Sequence, residues 1–367
     1  MTNASAGTAM TETTAYVAAS LREQARACER LGSRMYADLM SRAAGDPAPV
    51  ATALGDLAGA PQESAAVLRL FGAVHRLVLS GRASDLAGHF PSVGGRYQGE
   101  LTWTALRSTL AARRDEIVPM LAAPPQTNEV GRSAALIGGL LHVAARTRLP
   151  IRLLEVGASA GLNLRPDRYR YAYGRGRSYG PDQSPTVIRD AWSAPGALPP
   201  LGAPLRIVER RGCDPAPVDP TGDDGRLSLL SYIWPDQTER LARTRGACAL
   251  AAGTPARVEK ADAATFLAGL TPVEGVATVV WHSIVRQYVP VEAWERAEAA
   301  LARAGAQATQ RAPVAHLSME PRVRGREVDY PLTLRLWPGD GAEILGVTHA
   351  HGTPVSWQAP APATSLP

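Results

Sequence analysis

Lysine is almost missing from this chain: Lys260 is the only one, and every other one of its 39 basic residues is arginine. With abundant alanine, glycine and proline, that skew fits the codon bias of a GC-rich genome. The net charge of +5 therefore points only weakly to an acidic partner. Basic residues are dispersed, and no block resembles a nucleic-acid arm. Cysteine is scarce as well. Cys28, Cys213 and Cys248 are odd in number and far apart, which argues against a disulfide framework or a zinc knuckle and suits a reducing cytoplasm. With only three phenylalanines in a 45% hydrophobic chain, the core must be mainly aliphatic. The longest apolar run, residues 134–145, is too short to span a bilayer and contains His142. Residues 1–17 lack the basic start and apolar run of a signal peptide. The expectation is a soluble cytoplasmic protein with no membrane partner; a homodimer is allowed.

The 367 residues suffice for a full core and two structural units. Residues 1–14 read as a disordered tail, 15–125 as an α-helical domain, 126–358 as an α/β domain with an insertion at 166–204, and 359–367 as a second tail. In the helical part, residues 16–31, 35–44, 50–57, 64–79 and 103–121 carry apolar positions at three and four spacing. A polar cluster around Asn128, Glu129 and Arg132 then opens a helix to about residue 146. Capping explains the first two residues but not the arginine. Strands are expected at 151–156, 205–209, 256–260, 276–281 and 313–319, with helices between them. Residues 332–337 and 344–349 close the pattern as a hairpin.

The most informative stretch runs from Ile151 to Leu164, an apolar strand passing through Glu155 into Gly157, Ala158, Ser159, Ala160 and Gly161. A loop of such small residues lets backbone approach a ligand at the carboxyl end of a parallel strand. Its spacing does not meet the dinucleotide pattern G-x-G-x-x-G. It does satisfy G-x-S-x-G, which would make Ser159 the nucleophile of a serine hydrolase, but no oxyanion-hole segment precedes it and Pro166 follows too soon for the usual long helix. A plain strand-to-helix turn without ligand is the bland alternative. Within the insertion, Arg168, Arg170, Arg175 and Arg177 interleave with Tyr169, Tyr171 and Tyr173. That pattern suits a solvated hairpin, a lid over the site, or an RNA-stacking surface; nucleic acid is not the expected partner. His349-Ala350-His351 reads as an exposed strand end, and no metal is expected.

Four motifs carry a resemblance to a known family: Gln126-Thr127-Asn128-Glu129; Glu155 to Leu164 with Asp167-Arg168-Tyr169-Arg170-Tyr171; Tyr232-Ile233-Trp234-Pro235-Asp236-Gln237; and Val280-Trp281-His282-Ser283-Ile284-Val285. Together they resemble the family called domain of unknown function 2332, which implies architecture more than chemistry. The loop, as Glu155-x-Gly157-x-Ser159-x-Gly161, and the strand order also resemble class I S-adenosylmethionine-dependent methyltransferases, with Ser159 in place of the central glycine. The expected fold is accordingly a Rossmann-like methyltransferase sheet, mostly parallel with a C-terminal antiparallel hairpin, preceded by the helical domain.

That resemblance implies S-adenosylmethionine as cofactor and a small-molecule acceptor. Glu155, Gly157, Ala158, Ser159, Gly161 and Asn163 would hold the methionine end. Asp214 would hold the ribose, and Asp262 with Ala263 the adenine. His282, also near the cofactor, would be the base or substrate anchor, with Glu320 and Tyr288 as further catalytic candidates. Asn128, Glu129, Arg132, Tyr232, Trp234, Asp236 and Arg286 would line the acceptor pocket. Other chemistry on the same sulfonium, a hydrolase at Ser159 and a noncatalytic RNA-binding module remain the alternatives.

Overall fold

The computed structural model describes residues 3–61, 65–325 and 327–358; Met1, Thr2 and the 359–367 tail lie outside the described residues. The chain divides into two compact units, Met1–Thr127 with Asp223–Ala242, and Asn128–Gly222 with Arg243–Pro367.

In the first unit, apolar stripes of helical period form α1 (Asn3–Arg30), α2 (Arg34–Gly45), α3 (Ala48–Leu54), α4 (Ala66–Leu79), α5 (Ser84–Ala87), α6 (Glu100–Ala112) and α7 (Arg114–Met120). Residues 3–14, expected as a tail, extend α1. The one helix expected over 103–121 is two, parted at Arg113. Leu21, Leu39, Met40, Leu70, Leu77 and Leu106 meet in an aliphatic core that also includes Trp234. The segment around Trp234, expected in the α/β part, groups with the helices for a physical reason. Asp236 accepts from Ser33 Oγ at 2.6 Å and from Met35 N at 3.0 Å, which caps α2. Tyr232 lies over Gly72, where an added Cβ would come 2.6 Å from its ring.

Among its described residues the second unit holds α8 (Ser133–Thr147) and twelve strands: β1 (Ile151–Val156), β2 (Arg170–Tyr173), β3 (Arg177–Tyr179), β4 (Val187–Ile188), β5 (Ile207–Asp214), β6 (Arg257–Lys260), β7 (Ala277–Ser283), β8 (Val314–Met319), β9 (Arg322–Arg324), β10 (Glu327–Trp337), β11 (Ala342–Thr348) and β12 (Ser356–Trp357). It is a mixed α/β arrangement. Strands β6, β5, β1, β7 and β8 run parallel in that spatial order, and β10, β11 and β12 continue the sheet antiparallel. Ladder pairing carries β5 and β7 beyond their expected ends, so Asp214 pairs with Lys260, and His282 pairs with Val156 and Ser318. Strands β2, β3 and β4 form a separate small sheet.

The chain moves outward from β1 through β5 to β6, then returns to β7 on the other side of β1. The order reverses between β1 and β7, and a crevice opens at such a point beyond the carboxyl ends of the strands. Alternation along the strands then separates their side chains. Leu154, Val156 and Val280 pack into a cluster with Ala263, Leu267, Ala297 and Leu301 from the covering helices Ala263–Leu267 and Val291–Ala306. Glu155 and its register partner Trp281 take the opposite face. There α8 comes close through Gly138 and Gly139, which admit the side chains of Trp357 and Leu317.

Candidate functional site

At the end of β1 the chain turns through three left-handed residues, Gly157, Ser159 and Gly161, with φ of +71°, +52° and +66°. The turn returns its amides to the protein. Ala158 N donates to Cys213 O at 2.9 Å, Ser159 N to Asp214 Oδ2 at 2.9 Å, Gly161 N to Ala158 O at 2.7 Å and Leu162 N to Asn128 Oδ1 at 2.8 Å. The bare Cα atoms are met closely too. A Cβ on Gly157 would come 2.4 Å from Val285 Cγ2, and one on Gly161 would come 2.7 Å from Val258 Cγ2. Close packing therefore requires these small residues whatever ligand they serve, and the amides of Ser159 and Gly161 already have acceptors within the chain.

Asp214 fastens this loop to β5. Besides Ser159 N, it accepts from Ala216 N at 2.9 Å through Oδ1, so the turn role is filled. Asp262 caps its own helix through Thr265 N at 2.8 Å, and that amide holds the carboxyl below the usual range. Ala263 is buried in the cluster beneath Val291–Ala306. Ser159 is also buried, and the segment after it winds into the short 3₁₀ turns Leu162–Leu164 and Pro166–Arg168. An elbow nucleophile needs an exposed hydroxyl followed by a long helix, and this one has neither.

Glu155 is 3% exposed, and burial pushes its carboxyl up to about 8. Asn163 and Trp281 beside it, and the Arg132 charge, offset only part of that rise. Neither Glu155 Oε2 nor Trp281 Nε1 completes a hydrogen bond of good geometry. Asn163 is oriented by Ser133 Oγ, which donates to its Oδ1 at 2.7 Å. Near neutral pH, then, a largely protonated carboxyl lies next to an indole N–H, both buried and both with unused hydrogen-bonding capacity.

His282 faces the other side of the sheet. Its ring lies 4.9 Å from that of Trp294, edge to face, and it is only 3% exposed. Nδ1 stands 2.7 Å from Glu320 Oε1, and Nε2 stands 2.9 Å from His316 Nε2. Burial, then His282, then Arg335 push His316 down to about 3, which keeps it neutral. With His316 neutral, both contacts are satisfied when His282 donates from Nδ1 to Glu320 and accepts at Nε2 from His316. Glu320 Oε1 also accepts from Val285 N at 3.1 Å. Glu155 and His282 are thus adjacent in the ladder but separated by the sheet, and both His282 nitrogens are engaged within the protein.

Of the remaining candidates, Arg132 stays close enough to Glu155 for its charge to act there. Tyr288 is 75% exposed, and Arg286 lies over Trp294 at 6.0 Å, so neither meets the His282 nitrogens. Arg132, unexplained by capping, donates to Ser283 O at 3.0 Å and Ala350 O at 3.1 Å. Glu129 accepts from Gly131 N at 3.0 Å and from Arg243 at 2.8 Å. His351, expected at an exposed strand end, stands 3.1 Å from Glu129 Oε2. Tyr232, Trp234 and Asp236 belong to the first unit and are used in its packing and capping. The tyrosines of the insertion are not an open stacking surface. Tyr169 and Tyr171 are buried and donate to Leu162 O and Pro166 O, and Tyr171 stacks on Trp192 with ring centroids 5.9 Å apart.

Sequence reasoning missed Ser133, Trp281 as a neighbour of Glu155, His316 as a partner of His282, and Arg210. The Arg210 guanidinium forks onto Asp167 with two 2.7 Å bonds. Trp281 and Asp167 lay within the recognised motifs, but their partners come from distant strands. Among the described residues, no group of three or more His, Cys, Asp or Glu is placed to hold a metal ion, and no helix is long and apolar enough to cross a membrane. A family model described as "Uncharacterized protein conserved in bacteria (DUF2332)" matches residues 18–357. No curated protein and no solved structure matches the chain.

Proposed function

The chain belongs to the DUF2332 family of bacterial proteins, and we propose that its second unit is an S-adenosylmethionine-dependent enzyme on a Rossmann-like, class I methyltransferase sheet, transferring a methyl group to a small-molecule acceptor. One observation carries the reading: at the point where strand order reverses, Glu155 Oε2 and Trp281 Nε1 are buried side by side, neither in a hydrogen bond of good geometry, beneath the glycine-rich turn. Open parallel sheets bind their ligands at such a point. When bound, the cofactor supplies an electrophilic methyl group on a sulfonium.

The fit of this chain's residues is uneven. Glu155 suits an ammonium, because a neighbouring cation stabilises the carboxylate that burial disfavours. Asp214 also suits a ribose diol, since each oxygen accepts one backbone N–H and keeps a lone pair. Asp262, Ser159 N and Gly161 N have internal partners and are not counted among the binding groups. His282 and Glu320, hydrogen-bonded to each other on the opposite face, act as positioning residues for the end of β7. Isothermal titration with S-adenosylmethionine and S-adenosylhomocysteine tests the reading. Micromolar binding of either is expected, and no heat from either with folded protein overturns it.

A further inference from the structure

Any ligand approaching Gly157 at the mouth of β1 meets Val285. Its Cγ2 would lie 2.4 Å from a Cβ on Gly157, so this side chain covers the bare Cα that a small-residue loop leaves open. The segment is seated against a local cost. Ile284 has φ of +50°, a left-handed conformation that a β-branched residue adopts only with strain. Three hydrogen bonds hold this arrangement. Ile284 N donates to Met319 O at 3.0 Å and Val285 N to Glu320 Oε1 at 3.1 Å, while the same oxygen takes His282 Nδ1 at 2.7 Å. The turn that follows, Arg286–Tyr288, buries none of its residues.

We propose that residues 284–288 form a plug. Val285 closes the crevice above Gly157, and ligand enters when the Val285–Glu320 hydrogen bond opens and Ile284 returns to an ordinary φ. Strain at Ile284 favours opening, and the contacts of Val285 and Glu320 favour closing. His282 and His316 act through Glu320, fixing the carboxylate that holds the plug. The proposal rests on the reading above in one respect, that the crevice between β1 and β7 receives the ligand.

Two substitutions should move affinity in opposite directions. Val285→Ala shortens the side chain over Gly157 and should tighten S-adenosylhomocysteine binding by about tenfold in titration calorimetry. Ile284→Asn places a residue tolerant of the left-handed region and should weaken binding by about tenfold through stabilising the closed plug. Equal affinities in wild type and both variants overturn the plug. If none of the three proteins binds, the cofactor reading fails and the plug is read without ligand. In a Val285→Cys protein, whose native Cys28, Cys213 and Cys248 are all buried, iodoacetamide labelling reports opening. Adding Glu320→Gln should speed labelling by about tenfold and adding Ile284→Asn should slow it. Identical rates in these backgrounds overturn the proposal, and the Ile284→Asn arm keeps it decidable if Glu320→Gln does not fold.

Discussion

Glu155 is the residue whose chemistry departs furthest from its ordinary behaviour at the proposed site. Its carboxyl is pushed up to about 8 from an ordinary value of 4.5, so between those limits the folded chain keeps a proton that the unfolded chain has lost. Stability therefore falls as pH rises from about 4.5 to 8, by an amount on the order of 5 kcal/mol across the window. Glu155→Gln removes that dependence. Thermal melts should show a wild-type midpoint that declines from pH 5 to 8 and a flatter profile in the variant, and parallel profiles would refute the burial argument. Binding has the opposite sign. A cationic ligand favours the carboxylate and releases its proton, so affinity for S-adenosylmethionine should rise from pH 6 to 9, and calorimetry in buffers of different ionisation enthalpy should detect that proton. The acid was legible in the sequence because it sits in an apolar strand just before the glycines. Its indole neighbour was not, because Trp281 reaches it only through the parallel register of β1 and β7.

At the scale of elements, periodicity located most strands and helices but not where ladders stop. Strand β1 spans the expected residues, whereas β5 and β7 run on into Asp214 and Ser283 because adjacent strands satisfy their backbone groups. A cap supplied from a distant part of the chain was the other illegible feature. The motif from Tyr232 to Gln237 reads as pocket wall in the sequence, yet its aspartate closes the N-terminus of α2 by accepting from Ser33 and Met35. Asp236→Ala leaves Met35 N without that acceptor and removes the support of the Ser33 cap. The expected loss is about 1–2 kcal/mol by urea denaturation. A ligand-binding role would instead leave the urea midpoint unchanged.

For the whole molecule, the division at 127 and again at 223 and 242 means that the helical unit is assembled from two separated pieces of chain. A cut after residue 127 would remove Trp234 from the aliphatic core and the Asp236 cap from α2. His75 would also lose Ser231 O, which lies 3.1 Å from its Nδ1, deep among buried neighbours. Each of these losses is a recognised source of instability, a cavity or an unmet buried polar group, and each costs on the order of 1–4 kcal/mol. A domain of this size is typically stable by only about 5–15 kcal/mol. A fragment of residues 1–127 should therefore keep helical far-ultraviolet circular dichroism but lose a cooperative thermal transition. Addition of a synthetic peptide spanning residues 223–242 should restore the transition and saturate with concentration. A sharp, peptide-independent melt of the fragment would mean that the first 127 residues fold alone, and that the segment around Trp234 is then free to serve the function its sequence first suggests.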